Sequence, residues 1–153
     1  MNDKKNGTKL YNAIFPLWVL LMIPQAWLIV LPGNFIIDSI VLIISMIALK
    51  ISGKMRFYIR HIFIVFGFGL LADIIGSAFM FIMTFLFHMS VSGDELYMTI
   101  PALLISAGAI YLLNYHVTFR KQEKSLKFRL ALIFAIATAP YTFLVPTSWM
   151  YNR

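Results

Sequence analysis

The chain has 153 residues, 61% of them hydrophobic and 12% charged, with 13 Lys and Arg against 6 Asp and Glu and a formal net charge of +7. So few charges cannot cover a water-soluble domain, in which about a quarter of residues are charged. The lack of Cys excludes a disulfide framework, a thiol nucleophile and Cys-ligated zinc or iron–sulfur sites. The length suits a single membrane domain over residues 1–153.

Crossing ~30 Å of hydrocarbon as a helix takes about 20 mostly apolar residues, because lipid offers backbone amides no partners. The hydropathy therefore predicts an all-α, polytopic integral membrane bundle of five helices, over about 10–31, 35–51, 61–87, 97–117 and 128–145. The first stretch follows a lysine-bearing start. Its apolar run outlasts a signal-peptide core and no small-x-small cleavage site follows it, so it reads as a retained helix. Pro16 and Pro24 lie within it and each removes a backbone donor, which predicts a tolerated kink or a gating element. Pro32-Gly33-Asn34 reads as the turn into the second helix, Ser52-Gly53-Lys54 opens the next loop, and Ser92-Gly93-Asp94 separates the third helix from the fourth.

The cations set the expected orientation, since cytoplasmic loops retain Lys and Arg. Lys4, Lys5 and Lys9 precede the first span. Lys50, Lys54, Arg56 and Arg60 flank the second loop, and Arg120, Lys121, Lys124, Lys127 and Arg129 flank the fourth, leaving only Arg153 for the far side. The pattern predicts an N-in, C-out, multi-pass protein of a bacterial cell membrane. Trp27, Tyr97, Trp149 and Tyr151 fall near the outer interface, and Tyr11, Tyr58 and Tyr115 near the inner one, as aromatic belts do.

Two carboxyl groups fall within apolar spans, where an ionised side chain costs about 2.5–3.5 kcal/mol on insertion scales. Asp73 sits near mid-membrane, on a helix face shared with Gly69, Gly76 and Ser77 that lets another backbone approach closely. It reads either as a protonated carboxyl bonded to a neighbouring helix or as a proton or cation site. Asp38 follows Asn34 by one turn near the outer end of the second span, and reads as a group bonded to the Pro32-Gly33-Asn34 turn or as part of the same pathway. Asn114 is a further inward polar candidate. No basic residue at matching depth offers either carboxyl an ion pair.

Catalysis finds little support. No H-E-x-x-H pair, carboxylate-rich metal spacing, nucleophile elbow or P-loop is present, so the expectation is a non-enzyme with no metal and no cofactor. His61 and His116 fall at cytoplasmic helix ends, where histidines near phosphates are ordinary.

The stretch 111–120, Tyr-Leu-Leu-Asn-Tyr-His-Val-Thr-Phe-Arg, places an Asn one turn inside a helix end, then aromatics, then cations at headgroup level. It resembles the helix-end signature of small four-helix proteins associated with moving polyisoprenyl-linked sugars across bacterial membranes. The likeness spans about ten residues, stands once here where those proteins tend to carry it twice, and transfers no function. Physically, Lys50, Arg60, His116, Arg120, Lys121 and Arg129 form a basic rim suited to anionic lipid headgroups, or a plain topology signal.

Two functional classes follow. One is a carrier, channel or flippase-type transporter working through the intramembrane carboxyl group. The other is a non-catalytic membrane subunit or assembly protein. Five crossings without an internal repeat are few for a standalone carrier, so a second copy or a larger membrane partner is expected under either. Nucleic acid is not an expected partner.

Overall fold

The computed structural model describes residues 24–86 and 96–144, and all regular structure in them is helical. The helices are α1 (Pro24–Ala48), α2 (Lys54–Leu86), α3 (Leu96–Leu113) and α4 (Lys124–Ala137). A π-turn (Asn114–Thr118) continues α3, and a 3-10 turn (Tyr141–Leu144) follows α4. Among the described residues, four stretches are long and apolar enough to cross a membrane: Trp27–Ala48, Lys54–Met83, Tyr97–Thr118 and Lys124–Leu144. Most of the predicted first span, up to residue 23, lies outside the described residues, as does the Ser92-Gly93-Asp94 turn.

The predicted turn at Pro32-Gly33-Asn34 is not there, because α1 runs through all three residues. A turn leaves several N–H and C=O groups without helical partners, which water tolerates and hydrocarbon does not. Proline removes one donor only. In a stretch this apolar the unbroken helix is the cheaper solution, and the boundary expected between the first two spans disappears with the turn.

α1 instead ends after Ala48 in a Schellman motif. The Ile51 N–H donates to the Met46 carbonyl (3.0 Å) and the Lys50 N–H to the Ile47 carbonyl (3.2 Å), with Lys50 in the left-handed region at φ 51°. α2 starts at Lys54, earlier than expected, and its 33 residues reach ~50 Å, longer than the hydrocarbon layer. α4 has only 14 residues. Pro140 cannot continue the α-helical ladder, so the chain breaks at Thr138–Pro140, where both the Thr138 backbone N–H and its hydroxyl donate to the Phe134 carbonyl at 2.9 Å. The 3-10 turn that follows turns Phe143 into the bundle.

The helices close into a ring: α1 packs on α2, α2 on α3, α3 on α4, and α4 back on α1. Neighbours α2 and α3 run antiparallel, since the Phe57 and His61 rings near the start of α2 meet Phe119 beyond the end of α3, while the Ser106 hydroxyl donates to the Ala72 carbonyl at 2.9 Å midway along. One buried cluster joins all four helices through Leu42, Phe57, Ile62, Ile110, Phe119 and Phe134. A smaller one holds Met80, Met98, Ala102 and Phe143 at the other end. Gly76 makes the α2–α3 contact possible: a Cβ there would collide with Ser106 Oγ and lie 2.6 Å from the Phe143 ring.

This register places every Lys and Arg among the described residues at one end of the bundle: Lys50, Lys54, Arg56, Arg60, Arg120, Lys121, Lys124, Lys127 and Arg129. The opposite end of the described bundle has none.

Candidate functional site

Carrying α1 through residues 32–34 changes what its polar residues do. Asn34 and Asp38, four apart on one helix, share a face, and the Phe35 ring packs on Phe63 (6.0 Å) and Phe66 (5.5 Å) to turn this part of α1 toward α2. A hydrogen bond from Tyr58 to Ser39 (3.0 Å) sets the register nearer the basic end. Asn34 Nδ2 then donates to Asp73 Oδ2 at 3.1 Å. One turn toward the basic end, the Asp38 side chain is buried at 3% exposure over Gly69, where an added Cβ would lie 3.4 Å from Asp38 Oδ2. Glycine at 69 gives Asp38 its room.

The two carboxyl groups lie one helical turn apart in height on adjacent helices, Asp73 level with Asn34 and Asp38 over Gly69. Residues 10–49 and 61–119 contain no Lys or Arg, so the described residues supply no Lys or Arg at this level. Asp38 is therefore not a surface group tied to a turn, but a buried group one helical turn from the level of Asp73. Asp73 is partly buried. Ser77, one turn beyond Asp73 on the same face of α2, is buried at 5% exposure, and its hydroxyl has no hydrogen-bond partner.

Asn114 does not join this pair. Its amide donates to the Ile110 carbonyl at 2.9 Å, and the side chain is fully buried at the start of the π-turn. It lies eight residues beyond Ser106, ~12 Å along the axis toward the basic end. The π-turn shifts the register by one residue, with the Phe119 N–H bonded to the Asn114 carbonyl at 2.9 Å, and brings Phe119 fully into the core. Asn114 Oδ1 and Thr118 Oγ1 are left without partners there.

His61 is buried rather than interfacial. Its Nδ1–H donates to the Phe57 carbonyl at 2.7 Å, and its ring lies between Phe57 (4.2 Å) and Phe119 (5.5 Å). His116 is exposed against Tyr115 (5.0 Å), so the two histidines have separate surroundings. Among the described residues no group of three or more His, Cys, Asp or Glu could hold a metal ion.

At the basic end Lys50, Arg60, His116, Arg120, Lys121 and Arg129 are exposed as a rim. Lys127 stands apart, with its ammonium 4.0 Å from the centre of the Tyr115 ring.

Sequence reasoning placed Asn34, Asp38, Asp73 and Asn114 on one candidate pathway without giving their contacts, and it grouped Ser77 with small packing residues. The available signal was the four-residue spacing of Asn34 and Asp38, which puts both on one face once the helix is left unbroken. Comparison with known protein families, with characterised proteins and with solved structures finds no match to this chain.

Proposed function

We propose that the chain is a small multi-pass protein of the cell membrane that binds and releases a proton or small cation at Asn34, Asp38 and Asp73, as the ion-coupled part of a carrier or channel. The observation that carries this reading is the placement of two acidic side chains from adjacent helices within about one helical turn of each other, with Asn34 bonded to Asp73, in stretches without Lys or Arg. Ionisable groups at such depth are expensive and concentrate on ion and proton pathways. A purely structural contact between α1 and α2 needs only one of the two carboxyl groups, because Asn34 already satisfies Asp73.

The test is infrared difference spectroscopy on the full chain in lipid nanodiscs, with bands assigned by their loss in Asp38→Asn and Asp73→Asn. The carboxyl bands are expected to change between about pH 5 and about pH 9 and to shift in heavy water. Bands that stay constant and never exchange would overturn the reading and favour an assembly subunit.

The basic end faces the cytoplasm in this reading, following the retention of Lys and Arg on that side. Its exposed rim at Lys50, Arg60, His116, Arg120, Lys121 and Arg129 holds anionic lipid headgroups, each Lys or Arg adding about 1 kcal/mol near such a surface. A variant carrying Arg120→Gln, Lys121→Gln and Arg129→Gln is expected to keep less phosphatidylglycerol and cardiolipin in native mass spectrometry. Equal retention would reduce the rim to a topology signal.

A further inference from the structure

We infer that the π-turn at Asn114–Thr118 is a binding site for one internal water molecule, which donates a hydrogen bond to Asn114 Oδ1 and makes a second with the Thr118 hydroxyl. The site is separate from the carboxyl groups and lies directly beneath the basic rim at Arg120 and Lys121.

Two buried oxygens carry the inference. Asn114 is fully buried and Thr118 is 6% exposed, and neither Asn114 Oδ1 nor Thr118 Oγ1 has a hydrogen-bond partner. A Thr hydroxyl inside a helix ordinarily donates to the carbonyl four residues back, which here is that of Asn114. In the π-turn that carbonyl accepts the Phe119 N–H instead, at 2.9 Å and across five residues. The Asn114 amide commits Nδ2 to the Ile110 carbonyl at 2.9 Å, which leaves Oδ1 over. Buried polar atoms without partners are costly and call for an unseen water or ion.

Spacing makes one occupant serve both. Residues four apart on a helix are neighbours, with Cβ atoms about 5–6 Å apart. One water making two bonds of ~2.8 Å spans such a gap. Both oxygens accept hydrogen bonds, so the occupant must bring O–H or N–H donors. Glu123 is the only carboxyl group at this end among the described residues, and it is exposed, so no negative charge is at hand to hold a cation under the rim of Lys and Arg. A neutral donor remains. By satisfying both oxygens, the water offsets the cost of the π register that keeps Phe119 fully buried against Phe57, His61 and Phe134.

The test combines thermal melting with water-edited solid-state NMR of the full chain in phosphatidylcholine nanodiscs, whose headgroups carry no hydrogen-bond donor. Thr118→Val keeps the shape of threonine without the hydroxyl. It is expected to lower the melting temperature, because the water loses a partner, whereas Thr118→Ser stays close to the wild type. In an Asn114→Leu background, Thr118→Val is expected to cause no further loss, since the water has already gone. In the native chain, magnetisation from water is expected to reach the Thr118 methyl group well before that of Ala131, which is also buried.

Removing a hydroxyl that has no partner costs nothing. A Thr118→Val protein that melts at or above the wild-type temperature would therefore overturn the inference. Equal build-up at Thr118 and Ala131 would do so too, and that comparison uses the native chain, so it stands even where a variant does not fold. A loss in Thr118→Val that appears only after phosphatidylglycerol replaces phosphatidylcholine would assign the site to a headgroup hydroxyl and overturn the assignment to water.

Discussion

Asp73→Asn is expected to leave a folded bundle and to abolish ion-dependent transport or its cellular phenotype, whereas Asp73→Leu is expected to lose both activity and stability. The amide is close in size to the carboxyl group, and its oxygen can still accept the Asn34 Nδ2 hydrogen bond that measures 3.1 Å in the native protein. It cannot take up and release a proton, and it brings no negative charge to a cation. Leucine removes the acceptor as well and leaves the Asn34 amide facing an apolar group. Stranding one partner of such a bond costs about 1–3 kcal/mol. Reconstitution into vesicles with an imposed pH or Na⁺ gradient measures the first effect, and thermal melting of the same preparations measures the second. Asp38→Asn should behave as Asp73→Asn does. The double variant should be no less active than either single one, because either substitution alone already removes one of the site's two carboxyl groups. Wild-type flux in Asp73→Asn would sink the transport reading.

Gly76→Ala is expected to be among the most destabilising single-methyl changes in the chain. The new Cβ would collide with Ser106 Oγ and sit 2.6 Å from the Phe143 ring. The serine can rotate away only by giving up its 2.9 Å hydrogen bond to the Ala72 carbonyl. Phe143 is held at 4% exposure by the 3-10 turn after α4. Overpacking of this kind costs about 1–3 kcal/mol. Here the strain falls on the contact that sets the height of α3 against α2, so it should also disturb Asp73, three residues away. The measurement is thermal or denaturant unfolding in nanodiscs for Gly76→Ala alone and combined with Phe143→Leu. Partial recovery in the double variant is expected, because the shorter side chain clears part of the new methyl group. A Gly76→Ala protein that unfolds with the wild type would show that the helices are not in this close register.

Composition was enough to predict a helical bundle with helices of membrane-spanning length, because 61% hydrophobic and 12% charged residues depart far from the balance of water-soluble domains. The clustering of Lys and Arg at one end was equally legible, since α1, α2, α3 and α4 alternate in direction and the charged loops fall at every second connection. Asp73 stood out as a carboxyl group within a long apolar stretch. What tertiary structure decided was everything that depends on two helices at once. Pro32-Gly33-Asn34 carries a strong local turn signal, yet α1 passes through it because an apolar surrounding makes unpaired backbone costlier than one missing proline donor. That continuity turns Asn34 and Asp38 onto the face that meets α2, and the missing side chain at Gly69 lets Asp38 settle there. The Asn34–Asp73 hydrogen bond, the burial of Asp38 one turn away and the orphaned hydroxyl of Ser77 follow from this packing. Residue spacing along one helix specifies a face, but only the neighbouring helix, at its own register, decides what that face touches.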